Sequence, residues 1–245
     1  MGRIIQGTVI NADDFGYSES VNRAIVYCLD NGLITQTTVM VNMPGYNDAK
    51  QMSKEKKLIG KVGLHLNLSE GIPLTDLIKK QSLFCDSEGK FNGAFRRSKR
   101  CYLWLKPSER RAISLEIEAQ MHRYIDAGFT MMHIDSHHHV HTIPALQMLV
   151  IRLAKEHNFK SMRISRNVYT GKGRYKLLLK FYENRRILKY FDTTRKFVSA
   201  SIFERLSIEE NSIELMVHPD YIEDRLVDIL NRRILSFREF NGVKI

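Results

Sequence analysis

Hydrophobic and polar residues along the chain alternate between short β-type runs and longer helical runs. Seven short apolar runs are rich in β-branched residues or alternate with a period of two, which is typical of strands. The longer runs carry apolar residues at helical spacing, with a Ser-Glu start signal at Ser18 and a first-turn proline at Pro144. The predicted strands are TVINA, TTVMVN, VGLHLNL, TMMHID, SMRIS, FVSAS and IELMVH, and the clearest predicted helices cover 18–32, 108–128 and 144–158.

Strands separated by helices predict a parallel sheet with right-handed crossovers. About seven strands are few for an eight-fold barrel but enough for a closed or nearly closed one. The predicted fold is therefore α/β and (β/α) barrel-like, with the active site at the carboxyl ends of the strands. Because no repeat, low-complexity tract or linker interrupts residues 1–245, they are predicted to form a single domain. Basic helical segments are expected between and after the last strands.

One segment, residues 71–107, is too long for a simple turn. Long loops at the active rim of such folds are usually lids or binding loops, so we predict an active-site loop insertion. Its aromatic side chains could stack on a substrate, although a loop of this length also needs a small core of its own. We expect only one of the four to contact substrate: Phe91, Phe95, Tyr102 or Trp104.

Composition restricts the location of the protein. No apolar run approaches the length needed to cross a bilayer, and the first twenty residues lack the apolar stretch and cleavage site of an export signal. The three cysteines, Cys28, Cys85 and Cys101, are an odd number without the spacing of a metal site. They are predicted to be reduced thiols, which indicates a cytoplasmic protein.

The formal net charge is +11, and the basic residues cluster at 96–100 and 160–196. Nucleic-acid binding is one interpretation, but no helix-turn-helix, zinc-finger or RNP-like motif accompanies the charge. A solvated outer surface is favoured, and a nucleic-acid partner is not expected. The basic, partly amphipathic stretch 174–191 could instead lie on an anionic membrane surface or steer an acidic substrate. Barrel enzymes often dimerise, and a homodimer is compatible with the sequence.

Polar residues gather where the predicted strands end. In parallel α/β folds these ends meet at one rim. The strand VGLHLNL also places two polar side chains on one face, opposite its leucines. Convergence of several histidines with a double aspartate is better explained by a metal than by separate structural roles. The residues concerned are Asp13, Asp14, His65, Asn67, the run HIDSHHHVH at 133–141, and His218.

The ligand types indicate which metal would bind. One carboxylate with two imidazoles suits Zn²⁺ and also Fe²⁺, Co²⁺ or Mn²⁺, whereas Mg²⁺ prefers more oxygen ligands. Cysteine ligands are missing from the pattern, which favours a catalytic site over a structural one. Of two neighbouring aspartates, one can bind the metal while the other accepts a proton from water. The spacing also permits His137 and His141 as joint ligands on one helical face.

Five segments carry a family resemblance: NADDFG with the helix after it, GLITQTTVMVNMP, VGLHLNLSEGIPL, HIDSHHHVHTIPAL and ELMVHPD. In this order they resemble the YdjC-like carbohydrate deacetylase family. The resemblance implies a barrel-like α/β fold and metal-dependent removal of an acetyl group from an N-acetylated sugar. It also implies Asp14, His65 and His137 as metal ligands, Asp13 as the general base and His218 as a candidate general acid.

Six further residues are predicted to contact the metal ligands or the substrate. One of them, Asp135, is predicted to orient an imidazole by accepting a hydrogen bond from its free N–H. Between 160 and 210 little beyond Arg163 resembles the family. The implied cofactor is one divalent metal ion, with Zn²⁺ or another transition metal favoured and Mg²⁺ as an alternative. Two other hypotheses stay open: a metal-dependent hydrolase of another amide or ester, and a basic nucleic-acid or anionic-surface binding protein with a vestigial site. The remaining contact residues are Asn67, Asp135, His138, His139, His141 and Arg163.

Overall fold

In the computed structural model, seven parallel strands form one curled sheet. Their order is β5-β4-β3-β2-β1-β7-β6, with β1 in the middle, paired to both β2 and β7. The strands are β1 (Gly7–Phe15), β2 (Gln36–Val39), β3 (Val62–Leu66), β4 (His133–Ser136), β5 (Ser161–Met162), β6 (Lys196–Ser199) and β7 (Ser212–Val217). The structure describes residues 2–168, 176–200, 202–203, 211–230 and 233–234; within these ranges the side chains of 102, 176–177 and 233–234 are outside the description.

The sheet curls until its two edges meet at the amino end. The amide of Asp192, which precedes β6, donates to the carbonyl of Lys160 at 2.9 Å, and the amide of Met162 in β5 donates to the carbonyl of Asp192 at 3.1 Å. Further along, Asn167 bridges the two edges through its side chain, which donates to the carbonyl of Arg195 at 2.7 Å. The predicted barrel-like α/β fold with about seven parallel strands is confirmed.

Helices cover the outside of the sheet and start where the sequence predicts. The first begins after Ser18, whose hydroxyl accepts the amide of Val21 at 3.3 Å, and the sixth begins at Pro144. None of the helices within the described ranges is long and apolar enough to cross a membrane. The helices are α1 (Glu19–Asp30), α2 (Tyr46–Glu55), α3 (Asp76–Lys79), α4 (Lys99–Leu103), α5 (Pro107–Asp126), α6 (Pro144–Glu156) and α7 (Lys176–Leu188).

After the last parallel strand the structure corrects the sequence prediction. The basic helix expected between the late strands is present as α7, but the described residues after β7 form antiparallel strands: β8 (Pro219–Ile222), β9 (Arg225–Asp228) and β10 (Arg233–Ile234). Glu223 and Asp224 form the turn between β8 and β9, with φ angles of 49° and 57°. A two-residue hairpin turn with both φ angles positive matches the right-handed twist of strands.

The insertion at 71–107 folds around its own aromatic side chains. Phe91 and Phe95 are buried, and the Phe95 ring packs edge-on against Phe84 with 5.3 Å between centroids. Trp104 is 54% exposed and lies next to Arg100, whose guanidinium carbon is 5.3 Å from the indole centroid. Two of the four aromatics predicted for substrate stacking are therefore core residues, and the side chain of Tyr102 lies outside the described part.

Candidate active site

The two adjacent aspartates at the end of β1 both reach the rim because the chain turns at the second one. Asp14 has a φ of 69°, in the left-handed region, and the pairing of β1 with β2 shifts register between Ala12 and Phe15. Gly16 follows with a φ of 89°, and a Cβ there would lie 2.8 Å from the Met40 carbonyl oxygen. Only glycine fits at that position without a backbone shift. The sharp turn that brings both aspartates to the rim is centred on Asp14.

The three predicted metal ligands come from β1, β3 and the segment after β4, and their side chains meet. The Oδ1 atom of Asp14 lies 3.1 Å from Nε2 of His65 and 2.8 Å from Nδ1 of His137. One ligand atom from each residue lies within 4.8 Å of the other two. His65 is fully enclosed, while Asp14 and His137 are 14% and 11% exposed. One carboxylate and two imidazoles on one side, with access from the other, fit a divalent cation that keeps open coordination positions.

The orientation of His65 is fixed from behind. Its Nδ1 atom lies 2.7 Å from Oδ1 of Asp135, and the Thr38 hydroxyl donates to the other oxygen of that carboxylate at 3.0 Å. A carboxylate accepts only, so Nδ1 carries a proton, and Nε2, which faces Asp14, is the nitrogen that can bind a metal once it has lost its own proton. This pairing also makes the imidazole a better electron donor. The role predicted for Asp135, accepting the free N–H of an imidazole, agrees with this geometry.

The site is electrostatically suited to a cation. Burial lowers the pKa of His65, but the buried Asp135 carboxylate and the aspartates of β1 outweigh burial and raise the pKa to about 10. Burial acts to raise the pKa of Asp14, whereas the two imidazoles hold it well below its usual value. Without a metal, this environment therefore attracts protons to the imidazoles. A divalent cation would occupy the same field and displace those protons.

Arg163 lies beneath Asp13 and binds its carboxylate through two hydrogen bonds. Its two terminal nitrogens donate to the two carboxylate oxygens of Asp13, each at 2.7 Å, and one of them also contacts Asp135 at 2.8 Å. All three side chains are buried. Burial raises the pKa of Asp13, and the Arg163 guanidinium more than offsets this, so the pKa stays below its usual value. Asp13 is thus held as an anion and in a fixed orientation.

A third carboxylate, Glu214 of β7, completes this buried network. Arg163 donates to it through Nε at 2.5 Å, and the Phe197 ring covers the guanidinium with its centroid 4.7 Å away. Burial raises the pKa of Glu214 to about 7, although Arg163 acts against that rise. One guanidinium facing three carboxylates leaves an excess of negative charge under the site, which again favours a cation above it.

His218 stands at the other side of the two aspartates. Its Nε2 atom is 3.9 Å from Asp13 Oδ2 and 4.0 Å from Asp14 Oδ2, and its side chain is 12% exposed. Both distances exceed a hydrogen bond, so His218 stands beside the two carboxylates without bonding either of them. His218, the candidate general acid, therefore lines the same pocket as Asp13 and Asp14.

The remaining histidines after β4 divide between the pocket and the interior. His138 and His139 both have positive φ angles, 53° and 56°, and both line the pocket. His141 turns inward: Nδ1 contacts the Ser136 hydroxyl at 2.5 Å and Nε2 the Arg163 carbonyl at 3.0 Å. Since the left-handed residues break the helix, His137 and His141 do not share a face, and the four-residue spacing does not yield a joint pair of ligands.

Asn67, another predicted contact residue, shapes the loop after β3 and does not line the pocket. Its amide nitrogen donates to Asn42 at 3.1 Å and to the Glu70 carbonyl at 2.8 Å, while its oxygen accepts the amides of Ser69 and Glu70. These bonds hold the loop so that the Glu70 side chain faces His137.

The described residues around the site enclose a pocket of about 460 Å³ at the carboxyl ends of the strands. Seven predicted site residues and one residue of the hairpin after β7 line it, so distant segments of the chain contribute to the same pocket. The lining includes Asp13, Asp14, His65, His137, His138, His139, His218 and Asp220, together with Tyr17, Glu70, Arg96 and Arg166.

Known proteins resemble this chain over most of its length. A family model described as "YdjC-like protein" matches residues 8–239. The chain belongs to the YdjC-like family. Two curated relatives are each named carbohydrate deacetylase: one from Brevibacillus brevis is 35% identical over 231 residues, covering 89% of this chain and 83% of the relative. One from Halalkalibacterium halodurans is 34% identical over 245 residues, covering 97% and 96%.

A solved structure shares the fold of this YdjC-like chain. It is a protein from Enterococcus faecalis named for cellobiose-phosphate cleavage, with a TM-score of 0.68. The match covers 98% of this chain and 90% of the other at 20% sequence identity. At that identity the likeness supports the fold alone.

Sequence reasoning missed several pocket residues of this YdjC-like chain. Glu70 stands just past β3, and its Oε1 atom lies 3.4 Å from His137 Nε2 and 3.8 Å from His138 Nε2. Arg96 brings a positive charge from the insertion to the pocket wall. Glu70 could have been found by extending the strand-end rule four residues past the end of β3, whereas no local pattern distinguishes Arg96 from its basic neighbours.

Proposed function

We propose that this YdjC-like protein is a metal-dependent hydrolase that removes the acetyl group from an N-acetylated amino sugar or oligosaccharide. The observation that carries the proposal is the convergence of Asp14, His65 and His137 beside the Asp13 carboxylate in one pocket. Relatives that span most of the chain are named carbohydrate deacetylases, which supports an acetylated carbohydrate as the substrate.

The metal would be held by Asp14, His65 and His137. This donor set favours Zn²⁺ or another transition metal, with Mg²⁺ as the alternative. A divalent ion in such a site supplies a Lewis acid and lowers the pKa of a bound water. The surrounding residues orient the ligands: Asp135 fixes His65 in the tautomer whose Nε2 lone pair is free to bind the metal.

Hydrolysis of the acetamide needs one proton removed and one delivered. Asp13 is the group that accepts the proton of the attacking water, since Arg163 holds it as an oriented carboxylate. His218 faces the same space and delivers a proton from Nε2 to the departing sugar nitrogen. The carbon–nitrogen bond breaks, the water oxygen stays on the acyl carbon, and the products are acetate and a free amine.

Metal analysis combined with an acetate-release assay on N-acetylated mono- and oligosaccharides tests the proposal. Release of acetate by a protein that binds about one divalent ion per chain supports it, and His65→Ala should reduce both metal content and rate. Release of a different acid would select hydrolysis of another amide or ester. A silent protein that binds DNA tightly and in a salt-sensitive way would favour the binding protein with a vestigial site. Full metal occupancy in His65→Ala would remove His65 from the ligand set.

We also propose a cytoplasmic location, supported by the three cysteines, which are buried and unpaired thiols. A homodimer stays a prediction, and light scattering on the purified protein tests it. The substrate partner expected in either case is a small carbohydrate.

A further inference from the structure

A second unusual surface lies on α7, on the outside of the barrel. Four large apolar side chains with more than half of their surface exposed fall within five consecutive residues of this helix. We call them the α7 face. They are Leu178 (72% exposed), Leu179 (60%), Phe181 (55%) and Tyr182 (64%). Among the described side chains, the other helices expose large apolar residues singly, such as Leu115 on α5 and Met148 on α6. A cluster of this kind indicates a contact surface.

The charges around the α7 face have one sign. The only carboxylate in the sequence of α7 is Glu183, which is buried and accepts hydrogen bonds from Ser165 at 2.6 Å and Lys180 at 2.7 Å. Arg185 and Arg186 follow on the exposed side, and the Arg185 guanidinium lies 5.7 Å from the Phe181 ring centroid. The outward-facing charges of the described part of α7 are therefore cationic.

An apolar groove of about 710 Å³ lies beneath the same helix. It follows the seam between β5 and β6, which Asn167 bridges through its side chain. Its described lining combines apolar walls with cations and includes no carboxylate. The apolar members are Ile4, Ile164, Leu178, Phe181 and Leu188, and the cationic members are Arg185, Arg195 and Lys196.

The α7 face lies at the same end of the barrel as the pocket. A helix between parallel strands runs back along the sheet, so α7 begins near the carboxyl ends of the strands. Its last residue, Leu188, accepts a hydrogen bond from the Gly2 amide at 2.9 Å, which places that helix end at the amino side of β1. Leu178 through Tyr182 therefore occupy the half of α7 nearer the pocket.

We propose that the α7 face docks the protein on the surface of an anionic phospholipid bilayer. Helices that bind in the plane of a membrane combine exposed leucines and aromatics with lysines and arginines, and on α7 Arg185 and Arg186 lie beside the exposed apolar side chains, where their long side chains can reach the headgroups. Exposed cations beside them attract anionic headgroups, and the apolar side chains enter the boundary between headgroups and acyl chains. Docking here would hold the pocket next to the membrane surface. The proposal goes beyond deacetylation and does not depend on it.

Co-sedimentation of the full chain with vesicles tests the proposal. We expect binding to phosphatidylcholine vesicles that contain about one-third phosphatidylglycerol, and weaker binding at high salt. Replacing two outward apolar residues, Leu179→Ser with Tyr182→Ser, should reduce partitioning about tenfold or more. Arg186→Glu should reduce it roughly fivefold. The matched control, Leu115→Ser with Met148→Ser, should bind as the wild type does.

Four outcomes would overturn the proposal. The wild type could stay in the supernatant with anionic vesicles at low salt, or the control pair could lose binding as much as the α7 pair. Light scattering could show a dimer that Leu179→Ser with Tyr182→Ser dissociates, which would make the face an interface between copies. Binding to duplex DNA that survives the apolar changes but not Arg186→Glu would assign the cations to nucleic acid. Activity on a free sugar should be unchanged in the α7 variants, so failure here is separable from failure of the deacetylase assignment.

Discussion

At the floor of the pocket His65 is held by Asp135, a carboxylate that solvent does not reach, whereas at the mouth His137 faces Glu70, which is 38% exposed. The floor contact is a 2.7 Å hydrogen bond within a network that includes Thr38 and Arg163. The mouth contact is 3.4 Å long and lacks that support. Both histidines have a carboxylate behind them, but only at the floor does the surrounding structure fix the pair.

This difference indicates that the floor and the mouth of the pocket contribute differently to function. Charges in a buried network interact strongly and cannot be replaced by water, so a change in one of them leaves the others without a partner. Charges at the mouth are screened and can rearrange around a substrate. We therefore expect changes at the floor to alter the chemistry and changes at the mouth to alter affinity by smaller factors.

The largest effects are expected from the two aspartates of β1. Asp13→Asn keeps all three proposed ligands and removes the proton acceptor, so it should keep its metal and lose about 10²–10⁴-fold in rate. Asp14→Asn removes the anionic ligand itself and should be depleted of metal as well as inactive. Metal content and acetate release should be measured at one pH for both variants. If Asp13→Asn loses metal while Asp14→Asn keeps it, the two roles must be exchanged; if both keep metal and activity, the hydrolase assignment fails.

The sequence predicts which residues reach the rim because the rule for parallel strands is geometric. Strand ends meet at one edge whatever the side chains are, so Asp14, His65 and His137 could be expected to lie close together. Period-two alternation in β3 likewise places His65 on one face of the sheet. The fold follows from the same regularities, because seven β-type runs separated by helices allow few arrangements.

The pairings beneath the rim do not follow from any local pattern. Arg163 bonds Asp13, which lies 150 residues away in the sequence, and Glu214, which lies 51 residues away. Spacing cannot reveal such contacts, although a glutamate inside the apolar run IELMVH was a sign that a buried cation lay nearby. His141 has the right spacing for a ligand, but its side chain bonds Ser136 because left-handed residues precede it.

A second test concerns the floor partner of His65. Asp135→Asn keeps the shape but removes the charge that accepts the imidazole proton, and it leaves Arg163 with one anionic partner fewer. We expect metal affinity to fall about 10–100-fold, as is typical when a carboxylate behind a ligating histidine is lost. Competition with a chelator measures the affinity directly. Asp86→Asn, on the exposed part of the insertion, is the matched control and should not change it. An unchanged affinity in Asp135→Asn would show that His65 is oriented by other contacts.

A third prediction uses the pH dependence of a buried histidine close to the floor. His133 of β4 contacts the Ser161 hydroxyl at 2.9 Å, and burial lowers its pKa to about 4. The unfolded chain binds a proton near the ordinary pKa of about 6.5 and the folded protein does not, so stability is lost as pH falls from that value toward 4. At pH 5 the loss from this residue is about 2 kcal/mol.

His133→Asn removes that titration. Between pH 7 and pH 5 its free energy of unfolding, measured in urea, should therefore fall by about 2 kcal/mol less than that of the wild type. His122→Asn on the exposed side of α5 serves as the control and should follow the wild type. Parallel curves for His133→Asn and the wild type would mean that the folded protein admits a proton at His133 near neutral pH.

The smallest effect is expected at the mouth, from Glu70→Gln. The variant keeps the length and hydrogen-bonding shape of the side chain and removes only its charge, which lies 3.4 Å from His137 Nε2. Because Glu70 is more than one-third exposed, water can replace much of the interaction between the carboxylate and the imidazole.

Metal affinity of Glu70→Gln should therefore fall by less than about tenfold, below the range expected for Asp135→Asn. Both variants should be measured by the same chelator competition, with acetate release recorded at saturating metal. If Glu70→Gln lowered metal affinity as much as Asp135→Asn, burial would not determine how strongly each carboxylate supports its histidine. The exposed Glu70 would then orient His137 as firmly as the buried Asp135 orients His65.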